Sequence, residues 1–69
     1  MSKIKGTFKF VDCHGYETDG TTIAFDDFMD ADPTEDNPNV YWVLWSYDDE
    51  PGTHGGYITP LDGKSVVEA

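Results

Sequence analysis

The fold turns on one stretch: Thr21-Thr22-Ile23-Ala24-Phe25-Asp26-Asp27-Phe28-Met29-Asp30-Ala31. Thr21 to Phe25 has the β-branched and aromatic character of a strand. Phe25, Phe28 and Met29, however, stand at i, i+3 and i+4, the spacing of one helical face. On a helix Asp26, Asp27 and Asp30 would point away from that face. The helical reading is preferred: a short helix from about Ala24 to Ala31, with or without a strand before it, stopped by Pro33.

On the N-terminal side, Lys3 to Asp12 alternates, with Ile4, Phe8 and Phe10 on one face and Lys3, Lys5, Thr7 and Lys9 on the other. That pattern is a half-buried strand with a basic outer face. Cys13 to Gly20 reads as a turn. On the C-terminal side, Asp32 to Asn39, with Pro33 and Pro38, reads as an exposed loop. Val40 to Tyr47 is the strongest strand signal in the chain. Tyr41, Val43, Trp45 and Tyr47 share one face, and Val40, Trp42 and Leu44 share the other. Two apolar faces predict a central strand with one face partly open. Asp48 to Gly56 reads as a turn-rich connection, and Tyr57 to Leu61 as a strand whose Pro60 needs an edge or a bulge. Asp62-Gly63 fits a two-residue turn that would fold Lys64 to Glu68 back as a hairpin. The expected fold class is therefore α+β, in a single compact acidic domain over residues 1–69. It has three to five mostly antiparallel strands with one short helix packed on one face. An all-β domain is the alternative.

Composition constrains function more tightly than fold. The 69 residues hold 14 acids, 4 lysines and no arginine, a formal charge of −10. This balance excludes direct nucleic-acid binding through a basic footprint and disfavours anionic membranes. Ten aromatic side chains argue against disorder. Cys13 is the one cysteine, so no intrachain disulfide forms, and a reducing compartment fits. Met1 to Gly6 carries lysines with no apolar run behind them, and no stretch approaches the ~20 apolar residues of a membrane span. The expectation is a monomer in a bacterial host cytoplasm, with no membrane partner.

The charge is also segregated. Twelve acids run from Asp12 to Glu50 without an intervening base, between the Lys3-Lys5-Lys9 strand and Lys64. Self-repulsion of this kind lowers stability, so its presence favours a partner that uses it.

Chemistry candidates fail in turn. Asp30 to Asp36 superficially resembles a calcium loop, but Glu35 stands where the turn glycine belongs and Tyr41 where the bidentate glutamate belongs. Cys13 and His14 are adjacent and lack chelating spacing for zinc. No serine lies in a nucleophile motif. Gly52-Thr53-His54-Gly55-Gly56 lacks the phosphate-loop pattern and follows three acids. The expectation is no catalysis, no cofactor and no metal. Recognition remains, and two sets of residues are candidates for partner binding. The acidic set is Asp26, Asp27, Asp30, Asp32, Glu35, Asp36, Asp48, Asp49 and Glu50. The aromatic set is Tyr41, Trp45 and Tyr47 on one face of the central strand. Carboxylates at helical or alternate-strand spacing stand within about a factor of two of the ~3.4 Å rise per phosphate of a DNA strand. They could occupy a groove lined with Lys and Arg.

In size, charge and style the whole chain resembles the small acidic inhibitors encoded by bacteriophages, of the anti-CRISPR and DNA-mimic type. The resemblance implies an inhibitor that binds the basic nucleic-acid groove of a host type I CRISPR effector subunit, a Cas protein, and blocks target DNA recognition. It carries no motif that assigns a role to any residue. The other reading is an immunity-type or virion structural protein that docks through its aromatic strand.

Overall fold

The computed structural model describes residues 2–68 and is built of strands throughout. These are β1 (Ser2–Val11), β2 (Glu17–Pro33), β3 (Tyr41–Tyr47) and β4 (Glu50–Glu68). Every pairing is antiparallel, and the sheet closes on itself because β1 pairs with β2 and β4 while β3 also pairs with both. There is no helix among the described residues. The expected α+β class is thereby corrected to the all-β alternative.

The register explains the correction. Phe8 opposes Ile23, Gly6 opposes Phe25 and Ile4 opposes Met29. Between the last two pairs β1 advances by two residues and β2 by four, so β2 carries a bulge at Asp26 to Phe28. Ile23, Phe25, Met29 and Ala31 all turn towards the core, with period two. Asp27 has the same parity but escapes to solvent on the bulge. The apparent helical stripe was a strand pattern interrupted by one carboxylate. Phe28, assigned to that stripe, is 41% exposed on the outer surface.

The central core is Ile4 and Phe8 from β1, Ala31 from β2, Tyr41 and Val43 from β3, and Ile58 from β4. Phe10, Ile23, Phe25, Met29 and Trp45 pack around it, half-buried. No polar or charged residue is buried among those described. Four strands can enclose a core this small because two of them are long and bent, each spanning more than one neighbour.

The bend in β4 replaces the expected terminal hairpin. Lys3 to Gly6 pair with Glu68 to Ser65, and Phe8 to Val11 pair with Pro60 to Tyr57. Leu61 to Lys64 bulge out between these two ladders opposite Thr7. Asp62-Gly63 therefore kinks one strand instead of reversing it, and Lys64 to Glu68 pair with β1. Gly63 has φ +71°, and the Leu61 N–H donates to the Ser65 hydroxyl oxygen at 3.3 Å, which braces the kink. Pro60 sits at the ladder break, where its missing N–H is tolerated. Gly6, with φ +106°, lets β1 pass against the backbone of Lys64 and Ser65.

The expected turn-rich connection at Asp48 to Gly56 shortens to Asp48-Asp49, because Tyr47 already pairs with Glu50. Gly55 and Gly56 lie inside the β3–β4 ladder opposite Leu44 and Val43. Trp42 and Leu44 lie over Gly55 on the outer surface, and Phe10 and Trp45 lie over Gly56 on the inner one.

Candidate functional site

β2 and β3 are held together by the shortest ladder in the barrel. Its pairs are Ala31–Val43, Asp32–Trp42 and Pro33–Tyr41. Beyond Ala31 and Val43 no further pairing joins them, although both strands continue, β2 back to Glu17 and β3 on to Tyr47. The barrel has an open seam there, with two grooves in succession along it. The first groove has a volume of about 340 Å³ and is lined by Phe28, Met29, Asp30, Asp32, Trp42 and Leu44. The second has a volume of about 380 Å³ and includes Ile23, Phe25, Met29, Trp45 and Tyr47 with Asp26, Asp27 and Asp48. Met29 lines both, so the two grooves meet at the seam.

The first groove is apolar at its centre. Phe28, Trp42 and Leu44 are 41%, 38% and 54% exposed. Their placement follows from parity: Trp42 and Leu44 alternate with buried Tyr41 and Val43 along β3. Trp42 is braced by Tyr57 across the ladder, with ring centroids 5.0 Å apart. Lys5 Nζ stands 5.6 Å from the Phe28 ring centroid.

The second groove is walled by an aromatic chain. Phe25 and Trp45 meet edge-on at 6.5 Å across the seam. Trp45 stacks on His54 at 6.0 Å, and Tyr47 meets the same imidazole edge-on at 5.3 Å. The indole N–H of Trp45 is buried without a hydrogen-bond partner among the described residues.

The expected site residues divide between three places. Asp30 and Asp32 rim the first groove; Asp26, Asp27 and Asp48 rim the second. Glu35 and Asp36 lie on the loop between β2 and β3, on the far side of the three-pair ladder from the open seam. Asp49 and Glu50 lie at the β3–β4 turn, where Glu50 approaches His54 at 3.7 Å. In the aromatic set, Tyr41 is a core residue at 9% exposure, Trp45 is half-buried in the groove wall, and Tyr47 is exposed. The open face of β3 is thus the Trp42–Leu44 face. Sequence reasoning left out Phe28, Met29, Trp42 and Leu44. The signal for the last two lay in Gly55, a cross-strand neighbour with no side chain to cover them.

The charge is less segregated in space than along the chain. Antiparallel pairing places Lys3 opposite Asp30, and Lys3 Nζ lies 3.2 Å from Asp30 Oδ1. Two other carboxylates organise local turns. Asp12 Oδ1 accepts the N–H groups of His14 at 2.8 Å and Tyr16 at 3.0 Å. These bonds, that from Tyr16 foremost, hold the Asp12 carboxyl below its ordinary value. Asp19 is likewise lowered, chiefly by the Thr21 hydroxyl at 2.7 Å and then by the Thr21 N–H at 3.0 Å. Neither Asp12 nor Asp19 lines either groove. No three His, Cys, Asp or Glu side chains converge on a metal position among the described residues. No helix there is long and apolar enough to cross a membrane.

Comparison with protein-family models, with curated proteins and with solved structures finds no match to this chain.

Proposed function

We propose that this protein is a non-enzymatic binding domain that engages a basic partner protein through the open β2–β3 seam. Phe28, Trp42 and Leu44 form the apolar centre, and Asp30 and Asp32 form its rim. The observation that carries the reading is the exposure of these three large side chains on one groove of a domain with little core to spare. Fully burying a large apolar side chain is worth about 1.5–3 kcal/mol, so covering what remains exposed of the three supplies several kcal/mol of docking energy. Aromatic residues at the centre and charges at the rim are the usual anatomy of a protein interface. This is the aromatic-strand mode of an immunity-type or virion structural protein, in which β3 presents Trp42 and Leu44 to the partner.

A second reading draws on the carboxylates. Asp26, Asp27 and Asp48 rim one groove and are exposed, which supports occlusion of a Lys- and Arg-lined nucleic-acid channel. An anti-CRISPR acting in the bacterial cytoplasm on a Cas subunit is its narrowest form, and it draws on size and charge alone. One experiment separates the two: capture from bacterial lysate by the wild type, by Trp42→Ser/Leu44→Ser and by Asp26→Asn/Asp27→Asn/Asp48→Asn, washed at low and at high salt. The first reading expects a captured protein that survives high salt and disappears with the Trp42/Leu44 variant. Capture that survives that variant and vanishes with salt or with the aspartate variant refutes it in favour of the second.

A further inference from the structure

The seam has a shape that a flat docking surface does not need. Two strands leave a short ladder, each with an edge that has no pairing partner across the seam beyond Ala31 and Val43. Two grooves follow one another along the seam and join at Met29. An extended chain laid along such a seam sends alternate side chains to opposite faces, with residues i and i+2 about 6.6–6.8 Å apart. Its successive residues would pass from the Phe28–Trp42–Leu44 groove beside the ladder to the Ile23–Phe25–Tyr47 groove farther along the seam. Strand addition of this kind draws affinity from main-chain hydrogen bonds and specificity from the pockets for alternate side chains.

Charge decides the occupant. Asp30 and Asp32 flank one groove and Asp26, Asp27 and Asp48 the other, and no lysine lines either. The nearest cations are already engaged, Lys3 with Asp30 and Lys5 over Phe28. Resting on the docking reading above, we infer that the seam binds an extended segment of a partner protein, about four to six residues long, that alternates apolar with lysine or arginine side chains and adds as a strand between β2 and β3. The apolar positions cover Phe28, Trp42 and Leu44 or Phe25 and Tyr47, and the cations meet the rim carboxylates.

The test uses the full chain and defined probes. A capped octapeptide of alternating lysine and valine is titrated into the ¹⁵N-labelled protein. Two companions carry N-methyl groups on all the lysine or all the valine nitrogens, leaving charge unchanged, and a third replaces lysine with glutamate. Strand addition expects shift changes concentrated at residues 25–30 and 42–47. It also expects at least tenfold weaker binding for one or both N-methylated peptides, and no binding of the glutamate peptide at 1 mM. Three results overturn it: no binding of the parent peptide at 1 mM, both N-methylated peptides within twofold of the parent, or shifts equally large at Asp12, Asp19, Glu35 and Asp36. If the peptide fails while lysate capture still depends on Trp42 and Leu44, strand addition falls and the docking reading stands. If capture ignores those residues as well, both fall.

Discussion

Replacing Gly6 with alanine tests the crossing of β1 and β4, and replacing Gly63 provides its internal control. Both glycines have positive φ, +106° and +71°. A Cβ at Gly63 would meet nothing within 4 Å, whereas one at Gly6 would run into the Lys64 carbonyl oxygen and lie 2.8 Å from the Ser65 Cα. Gly63→Ala therefore pays the conformational penalty alone, about 1–2 kcal/mol for an L-residue in left-handed geometry. Loss of unfolded-chain freedom offsets roughly 0.4–1 kcal/mol of that. Gly6→Ala adds a clash with backbone, which cannot rotate aside, at about 1–3 kcal/mol for overpacking. The same offset applies to both, so the expected destabilisations are roughly 1 kcal/mol for Gly63→Ala and about 1–5 kcal/mol for Gly6→Ala, larger by the clash. A domain of this size has on the order of 3–10 kcal/mol in total, and each kcal/mol moves Tm by about 4–8 °C. Urea and thermal unfolding followed by the fluorescence of Trp42 and Trp45 measures both variants. Equal shifts for the two would refute the close crossing, and with it the single bent β4.

Three further outcomes are expected. Ile58→Ala, at a fully buried core position, should lose about 2–5 kcal/mol of unfolding free energy in urea titration; a loss under 1 kcal/mol would remove Ile58 from the core. Lys3→Gln should move stability by no more than about 1 kcal/mol, because the Lys3–Asp30 pair is 58% and 63% exposed, and melts with and without 0.5 M salt should show that small difference shrinking. The Asp12 and Asp19 carboxyls are lowered in the folded state, so the support they give their turns is present above the ordinary carboxylate range, about pH 4, and is lost as pH falls through their depressed values. NMR amide shifts of His14, Tyr16 and Thr21 should therefore titrate below about pH 4, and Asp12→Ala should abolish the change at His14 and Tyr16 while leaving Thr21 unaltered.

Two strands were legible from their residues. Lys3 to Asp12 and Val40 to Tyr47 fall within one residue or so of β1 and β3, the first because apolar and polar positions alternate, the second because a run dominated by β-branched and aromatic residues reads as a strand. Thr21 to Ala31 was misread because a bulge is a property of two strands. Nothing within the stretch states that β1 advances by two residues while β2 advances by four. Asp27 at an inward parity broke the strand pattern, and Phe25, Phe28 and Met29 then matched a helical one by coincidence. The Asp62-Gly63 kink has the same origin: the dipeptide supplies the backbone geometry, and the reach of β1 past it decides that the chain bends instead of reversing. Gly55 and Gly56 read as loop because their stabilising partners, the rings of Trp42, Phe10 and Trp45, arrive from other strands. The acids that gather at the seam were all among those nominated, but their separation into two grooves needed the fold. The apolar centre was missed because parity alone does not say which face of β3 the remaining strands will cover.

The open seam also bears on how the molecule meets copies of itself. Exposed strand edges invite edge-to-edge addition between identical chains, which is the first step towards aggregates. Here any second copy would bring its own Asp26, Asp27, Asp30, Asp32 and Asp48 to the same seam, and like charges would meet across the new ladder. If strand addition holds as proposed, the carboxylates sort incoming strands by sign, repelling self and admitting a cationic stranger. On this view the large negative charge guards the weakest join in the barrel, and acid or high salt, which silences that charge, is the condition under which the chain should begin to polymerise.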